Sequence, residues 1–167
     1  MISIREVRWH PFFSGFNKEQ MDAIAQAAEE IQAERGHIFF DEGETLNRFY
    51  LVKEGTVDIT IKVPDQNKNH TFADQLTRNL KTIDITASVV HAGELFGWSA
   101  LVHPHQSTAS AIVSSENCTV IAVDCTKLQP LFEEDCQFAY QMLLKATQII
   151  RSRLRDRRVE LLSITPM

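Results

Sequence analysis

The sequence predicts a single, mainly β domain with flanking helices (α+β). Three patterns carry that reading: a helical apolar period near the N-terminus, a series of short turn-punctuated strands between about residues 36 and 124, and a long helical stripe ending near Leu162. The chain has 167 residues, a formal charge of −5, 44% hydrophobic and 23% charged residues. That balance suits one cored globular domain and is too apolar for a disordered chain. No stretch approaches the roughly 18 consecutive apolar residues that span a bilayer. The opening Met1 to Arg8 lacks the apolar centre of a signal peptide, so the expected location is cytoplasmic and away from membranes. Cys118, Cys125 and Cys136 are odd in number and lack CxxC spacing, which gives neither a disulfide framework nor a zinc site.

The first element is a helix over Asn17 to Ala33, in which Met21, Ile24, Ala25, Ala28 and Ile31 recur at three- and four-residue steps. Asn17 caps it, and Gln20 is placed to reach back to the cap as in a capping box. From Gly36 the period changes. Residues 37–40, 48–52 and 56–63 read as strands, the last alternating at Val57, Ile59, Ile61 and Val63, with Gly43 and Gly55 as turns. Pro64 to Lys81 is polar and longer than an ordinary hairpin connection, so it reads as a projecting loop whose role the sequence leaves open. Strands resume at 82–90, 108–113 and 118–123. Short strands at this spacing indicate a sandwich or barrel.

Asp135 caps a final helix to about Leu162, with Phe138, Met142, Leu143, Ala146, Ile149, Ile150 and Leu154 on its apolar stripe. At about 1.5 Å per residue the helix extends about 40 Å, more than one small barrel covers. The surplus face, represented by Leu143, Ala146, Ile150 and Leu154, is expected to pair with a second copy across a two-fold axis. Folding back along the barrel is the alternative.

Gly93 and Gly97 bracket a run before the short apolar Trp98-Ser99-Ala100-Leu101-Val102. Glycines there permit positive φ and close backbone approach, and amides at a short helix start form an anion site. An ordinary barrel corner explains the same residues. Gly36, Glu42-Gly43, Phe49-Tyr50-Leu51-Val52, Gly55-Thr56-Val57 and Ala92-Gly93-Glu94-Leu95-Phe96-Gly97 resemble the cyclic nucleotide-binding domain family, which includes the sensor half of catabolite-activator-type regulators. The resemblance covers about residues 10 to 160. It implies a double-stranded β-helix or jelly-roll barrel at about 36–124, then a hinge and long helix at about 125–162. It also implies a ligand cassette at Gly93, Glu94, Phe96, Gly97, Trp98, Ser99, Ala100, Ser107, Thr108 and Ala109.

In that family a glutamate after the glycine binds the ribose and an arginine further on pairs with the cyclic phosphate. Here those places hold Trp98 and Ser107. A charge-assisted hydrogen bond contributes roughly 1.5–3 kcal/mol, so losing the arginine alone weakens cyclic AMP by about one to two decades. The sequence therefore predicts no tight binding of cyclic AMP or cyclic GMP in the usual mode. Trp98 reads as a core plug or as a stacking platform for another planar ligand, with the plug preferred. Three alternatives stay open: a remodelled nucleotide pocket using Ser107, Thr108 and backbone amides, an interaction adaptor whose pocket is filled, and, more weakly, a metal-dependent cupin-like enzyme.

His103-Pro104-His105 invites comparison with metal-binding cupins, but Glu116 lies eleven residues beyond His105 and no histidine follows it. No cofactor, metal site or catalytic residue is assigned, beyond a possible cyclic nucleotide or other small ligand. Arg151 to Arg158 carries five positive charges and one negative, leaving −9 for the rest of the chain. Such a run suits either an acidic partner or the negative end of a helix dipole. Only nine residues follow Arg158, too few for a helix-turn-helix, so DNA binding by this chain alone is not expected. The expected function is a non-catalytic, dimeric regulatory sensor in which the segment Asp124 to Glu134 acts as a hinge, with Pro130 ending one helical segment.

Overall fold

Asn17 opens the first helix through the reciprocal pair that its sequence context predicts. In the computed structural model, which describes residues 7–8, 10–65 and 82–164, its side chain accepts from the Gln20 N–H at 2.9 Å. The Gln20 side-chain oxygen accepts from the Asn17 N–H at 3.1 Å. Two otherwise orphaned donors are satisfied, and α1 runs Lys18–Ala27 with Met21, Ile24, Ala25 and Ala27 buried.

The helix ends at Ala27 rather than Ala33. Ala28–Glu34 forms strand β1, antiparallel to the strand Asn117–Asp124 (β8) from Ala28 opposite Val123 to Glu34 opposite Asn117. Ala28, Ile31 and Ala33 fit a helical step and an edge strand equally well. Pairing with residues ninety positions downstream decides between them, and a local period does not register such pairing.

The remaining strands are β2 (Ile38–Phe40), β3 (Arg48–Glu54), β4 (Val57–Pro64), β5 (Thr82–Val90), β6 (Leu95–Phe96), β7 (Ser110–Val113) and β8 (Asn117–Asp124). They build two four-stranded antiparallel sheets, ordered β1-β8-β3-β6 and β2-β7-β4-β5. The mainly β, jelly-roll expectation holds. The two-residue β6 is too short for a sequence pattern to reveal, and β7 begins at Ser110 rather than Thr108. The 64–81 insertion falls, from residue 66 onward, outside the described residues.

Phe49, Tyr50, Leu51 and Val52 are all buried because β3 is covered on both faces. Phe49 and Leu51 join a cluster under the helices with Ile24, Leu128, Phe138 and Met142. Tyr50 and Val52 face the other way, into a cluster with Phe40, Val57, Phe96 and Val113 between the sheets. β8 repeats the arrangement with Ile121 and Val123 on one side and Val120 and Ala122 on the other. A continuous apolar run is what a doubly covered strand requires.

α2 (Cys125–Glu134) starts where the Asp124 carboxylate accepts from the Thr126 N–H at 2.9 Å. Pro130 lies inside this helix and does not end a segment, since its fixed φ is already helical and the cost is the missing N–H. The break falls instead at Asp135, whose φ of −118° and ψ of 84° are not helical. Its carboxylate caps α3 (Cys136–Ile164), accepting from the Phe138 N–H at 3.0 Å, and takes a second bond from Gln20 Nε2 at 2.9 Å. One glutamine thus ties the caps of α1 and α3 together. The Gln20 bond, with those from the α3 amides, holds the Asp135 carboxyl below the usual range.

On α3, Phe138, Met142 and Ala146 are each 1% exposed and pack inside the protomer. Ala146 therefore leaves the predicted pairing face. Leu143, Ile150 and Leu154 stay on it, at 46%, 38% and 51% exposure. Among the described residues no helix is long and apolar enough to cross a membrane.

Candidate functional site

The segment from Gly93 to Ala109 is anchored to the sheet by β6, with Leu95 opposite Leu51 and Phe96 opposite Tyr50. Gly97 is required there twice over. Its φ is +75°, and a Cβ would lie 3.1 Å from Tyr50 Cδ2 and 3.2 Å from the Arg48 carbonyl oxygen. The chain then makes a 3-10 turn over Trp98–Leu101, closed by the Ala100 N–H on the Gly97 carbonyl at 3.1 Å.

The predicted cassette residues divide into several neighbourhoods. Phe96 is 1% exposed and stacks on Tyr50 with ring centroids 4.9 Å apart, while Phe39 and Phe40 complete an aromatic group between the sheets. Trp98 lies elsewhere. Its half-buried indole packs against the cluster under the helices, and the Arg153 guanidinium sits 5.6 Å from its ring centroid. The filling between the sheets is therefore the Phe39, Phe40, Tyr50 and Phe96 group, whereas the indole closes the helix side. Gly93 and Ser99 are half-buried and Ala100 is buried.

Ser107 is buried, and its hydroxyl donates to the Ala109 carbonyl and accepts from the Ala109 N–H at 3.3 Å. Its backbone is fixed as well: the Ser107 N–H donates to the Glu44 carbonyl at 2.8 Å, and the Gly43 N–H donates to the Ser107 carbonyl at 2.8 Å. Thr108 beside it is exposed and Ala109 half-buried. Trp98 thus belongs to the α3 side and Ser107 to the Asp41 to Leu46 loop.

Arg153 is the functional-site residue that sequence reasoning missed. Its guanidinium donates to the Leu95 carbonyl at 3.3 Å and lies 3.8 Å from the Glu94 carboxylate, whose other oxygen accepts from the His91 N–H at 2.7 Å. The signal was present in the spacing. Met142, Ala146, Ile149 and Arg153 follow one another at steps of four, three and four, so Arg153 continues the inward face while Arg151, Arg155 and Arg158 are exposed. Arg153 and Arg157 also border a polar cavity of about 370 Å³ with Glu94, His91 and, on β5, Thr86 and Ser88. Among the described residues no three or more His, Cys, Asp or Glu side chains gather as a metal site.

The N-terminal segment braces the cassette through His10, whose Nε2–H donates to the Gly93 carbonyl at 2.5 Å while Nδ1 accepts from the Phe12 N–H at 3.1 Å. Burial pushes the His10 pKa below its usual value, against the opposing pull of the Gly93 bond. A proton on Nδ1 would also end its acceptor role. Since the unfolded ring takes a proton near pH 6.5, stability is full above that pH and falls as pH drops toward the lower folded value. The slope in that window stays below the one-proton limit of about 1.4 kcal/mol per pH unit. Thermal melts at pH 7.5 and 5.5 are expected to show this loss, and it shrinks in a His10→Gln variant; an equal drop in both proteins would assign it to other groups.

Two four-stranded antiparallel sheets, a glycine-bounded segment around β6 and a capped long helix behind it form the arrangement into which the sequence fits. The cyclic nucleotide-binding domain family matches residues 30–135, more than half of the chain. The protein belongs to this family. Among its relatives are the cAMP/cGMP-dependent 3′,5′-cAMP/cGMP phosphodiesterase B of Dictyostelium discoideum, 27% identical over 73% of this chain, and the CRP-like cAMP-activated global transcriptional regulator of Mycobacterium tuberculosis, 22% identical over 86% of it. The chain spans 9% and 54% of those two proteins. A cyclic nucleotide-binding domain from Methylobacillus flagellatus has the same fold, with a TM-score of 0.72 and 17% identity over 98% of this chain and 83% of its own.

Proposed function

We propose that the chain is a non-catalytic regulatory sensor domain, acting in the cytoplasm, that does not bind cyclic AMP or cyclic GMP tightly in the family's usual way. The observation that carries this reading is the commitment of Ser107. At the place where relatives use an arginine, a buried hydroxyl spends its hydrogen bonds on Ala109 and offers no charge to a phosphate. Trp98, at the glutamate's place, is occupied with Arg153 and the helix-side cluster. Replacing one charge-assisted bond costs roughly 1.5–3 kcal/mol, one to two decades in affinity. Calorimetric titration with each nucleotide is expected to show no micromolar binding, and a micromolar or tighter isotherm would overturn the reading.

A second reading draws on Arg153 and Arg157 beside Glu94, which give the polar groove along β5 two guanidinium groups. In it, a nucleotide enters a remodelled pocket from the α3 side. Should micromolar binding occur, Arg153→Ala decides whether this groove supplies it. The adaptor alternative draws on the aromatic group that fills the space between the sheets.

The domain is further proposed to form a homodimer through α3. Leu143, Thr147, Ile150 and Leu154 are exposed at four-, three- and four-residue steps, the spacing of a two-helix seam. Sedimentation is expected to give a dimer for the wild type and a monomer for Leu154→Asp. A wild-type monomer at high micromolar concentration would reject the seam.

A further inference from the structure

A second cavity, of about 400 Å³, lies on the helix side of the cassette, where the 3-10 turn, the Thr45 to Asn47 loop, α2 and the start of α3 meet. Its volume falls within the range of small-molecule sites, roughly 300–1,000 Å³. Leu46, Leu101, Phe132, Ala139, Met142 and Leu143 supply apolar wall. None of the residues around it is Asp, Glu, Lys or Arg; the polar groups it presents are uncharged ones such as Asn47 and Gln129. Cys125 also borders it, and burial, followed by the nearby Asp124 charge, pushes that thiol up to about 12, so it stays protonated and neutral.

His105 also lines the cavity, and its ring is fixed by a hydrogen bond. Its Nδ1 lies 3.0 Å from the Ala100 carbonyl oxygen, which only accepts, so Nδ1 carries a proton, and in the singly protonated ring Nε2 is left as an acceptor. The residue is held in the left-handed region at φ +63°, with its N–H on the Val102 carbonyl at 2.8 Å and its carbonyl accepting from the Leu46 N–H at 2.7 Å. The ring is therefore placed before any ligand arrives.

We propose that this cavity is a binding site for an uncharged, mostly apolar small molecule carrying an N–H or O–H donor. An ionised ligand would lose water among these walls with no Asp, Glu, Lys or Arg side chain to pair with, which is unfavourable. The inference does not depend on how the cassette treats cyclic nucleotides. An occupant touches the cassette turn on one side and both α2 and α3 on the other, so binding would hold the helical pair against the barrel.

The test uses indole, which is neutral with one N–H donor, and indole-3-acetate as its charged counterpart. Indole is expected to bind saturably at about 0.1–1 mM and to raise the melting temperature, with the carboxylate at least about tenfold weaker. Ala139→Phe fills the wall, and Gln129→Phe, at an exposed position of α2, fills the mouth without touching the core. Each is expected to weaken indole at least about tenfold, the second with an unchanged circular dichroism spectrum. No saturable binding of indole, equal binding of the two probes, or Gln129→Phe binding indole like the wild type would overturn the proposal. So would dissociation of a dimer by Gln129→Phe without indole binding to the wild type, which would give the cavity to a second copy of the chain.

Discussion

Gly55→Ala is expected to lower stability by about 3 kcal/mol, or about 6–12 °C in melting temperature for a chain of this size. Gly55 turns β3 into β4 at φ +87°. A left-handed conformation costs an L-residue about 1–2 kcal/mol by itself. The added methyl would lie 2.4 Å from the Asn117 carbonyl oxygen, 2.6 Å from Ser115 Oγ and 2.9 Å from Cys118 Cα. Two of those three atoms are backbone and cannot rotate away. The third belongs to a serine that accepts from the Thr56 N–H at 2.9 Å and donates to the Asn117 carbonyl at 2.7 Å. Relief requires moving the start of β8, with loss of hydrogen bonds worth about 1 kcal/mol each. Gly43→Ala is the control, since its φ is +86° but nothing lies within 4 Å of its Cβ. It should cost only the conformational part. Equal melting temperatures for the two variants would show that the close approach at Gly55 carries no weight.

Phe96→Ala is expected to cost about 3–5 kcal/mol, the range for a buried phenylalanine. The ring is 1% exposed, stacks on Tyr50 with 13° between the planes, and meets Phe39 at 5.4 Å and Phe40 at 6.1 Å between centroids. These neighbours come from β2 and β3, one strand from each sheet, so no single segment can collapse into the vacated space. Residual cavity adds to the lost transfer energy for that reason. Chemical denaturation should show the midpoint falling with the slope preserved. A loss below about 1 kcal/mol would mean that the space between the sheets closes readily and is not the rigid filling described above.

Much of the fold was legible because its signals are local. The Asn17 and Gln20 capping box and the Asp135 cap each depend on residues within a few positions, and each appears as read. β4 is the strand expected, but its register shifts between Ile59 and Thr60, and Thr60 is buried while Ile59, Ile61 and Val63 are half-buried. The departures have a common cause in contacts between distant parts of the chain. β1 is a strand because β8 pairs with it, although Ala28 and Ile31 continue the helical step of α1. Pro130 stays helical because the interruption is placed five residues later, where Gln20 engages Asp135. Ala146 was assigned to the outer face of α3, but a stripe about half the circumference wide does not say which of its edges meets the barrel.

The Gly93 to Gly97 stretch stood out in the sequence as a backbone corner, and both glycines take positive φ there. Its internal arrangement was not legible. Arg153 lies 55 positions after Trp98 and was read as one member of a basic run. Only its step from Ile149 marks it as facing inward, toward Glu94 and the indole.

The two attachments of α3 give it the mechanics of a lever. It is clamped at its base by the Gln20 amide on Asp135 and again, eighteen positions along, by the Arg153 guanidinium on the Leu95 carbonyl. At about 1.5 Å per residue those clamps are about 27 Å apart, and the 29-residue rod is about 43 Å long. A 2 Å displacement of the cassette carried by Arg153 while the base stays fixed would sweep the far tip by about 3 Å. The gain is modest and arises from geometry alone, so a small rearrangement beside Glu94 becomes a larger one at the distal end.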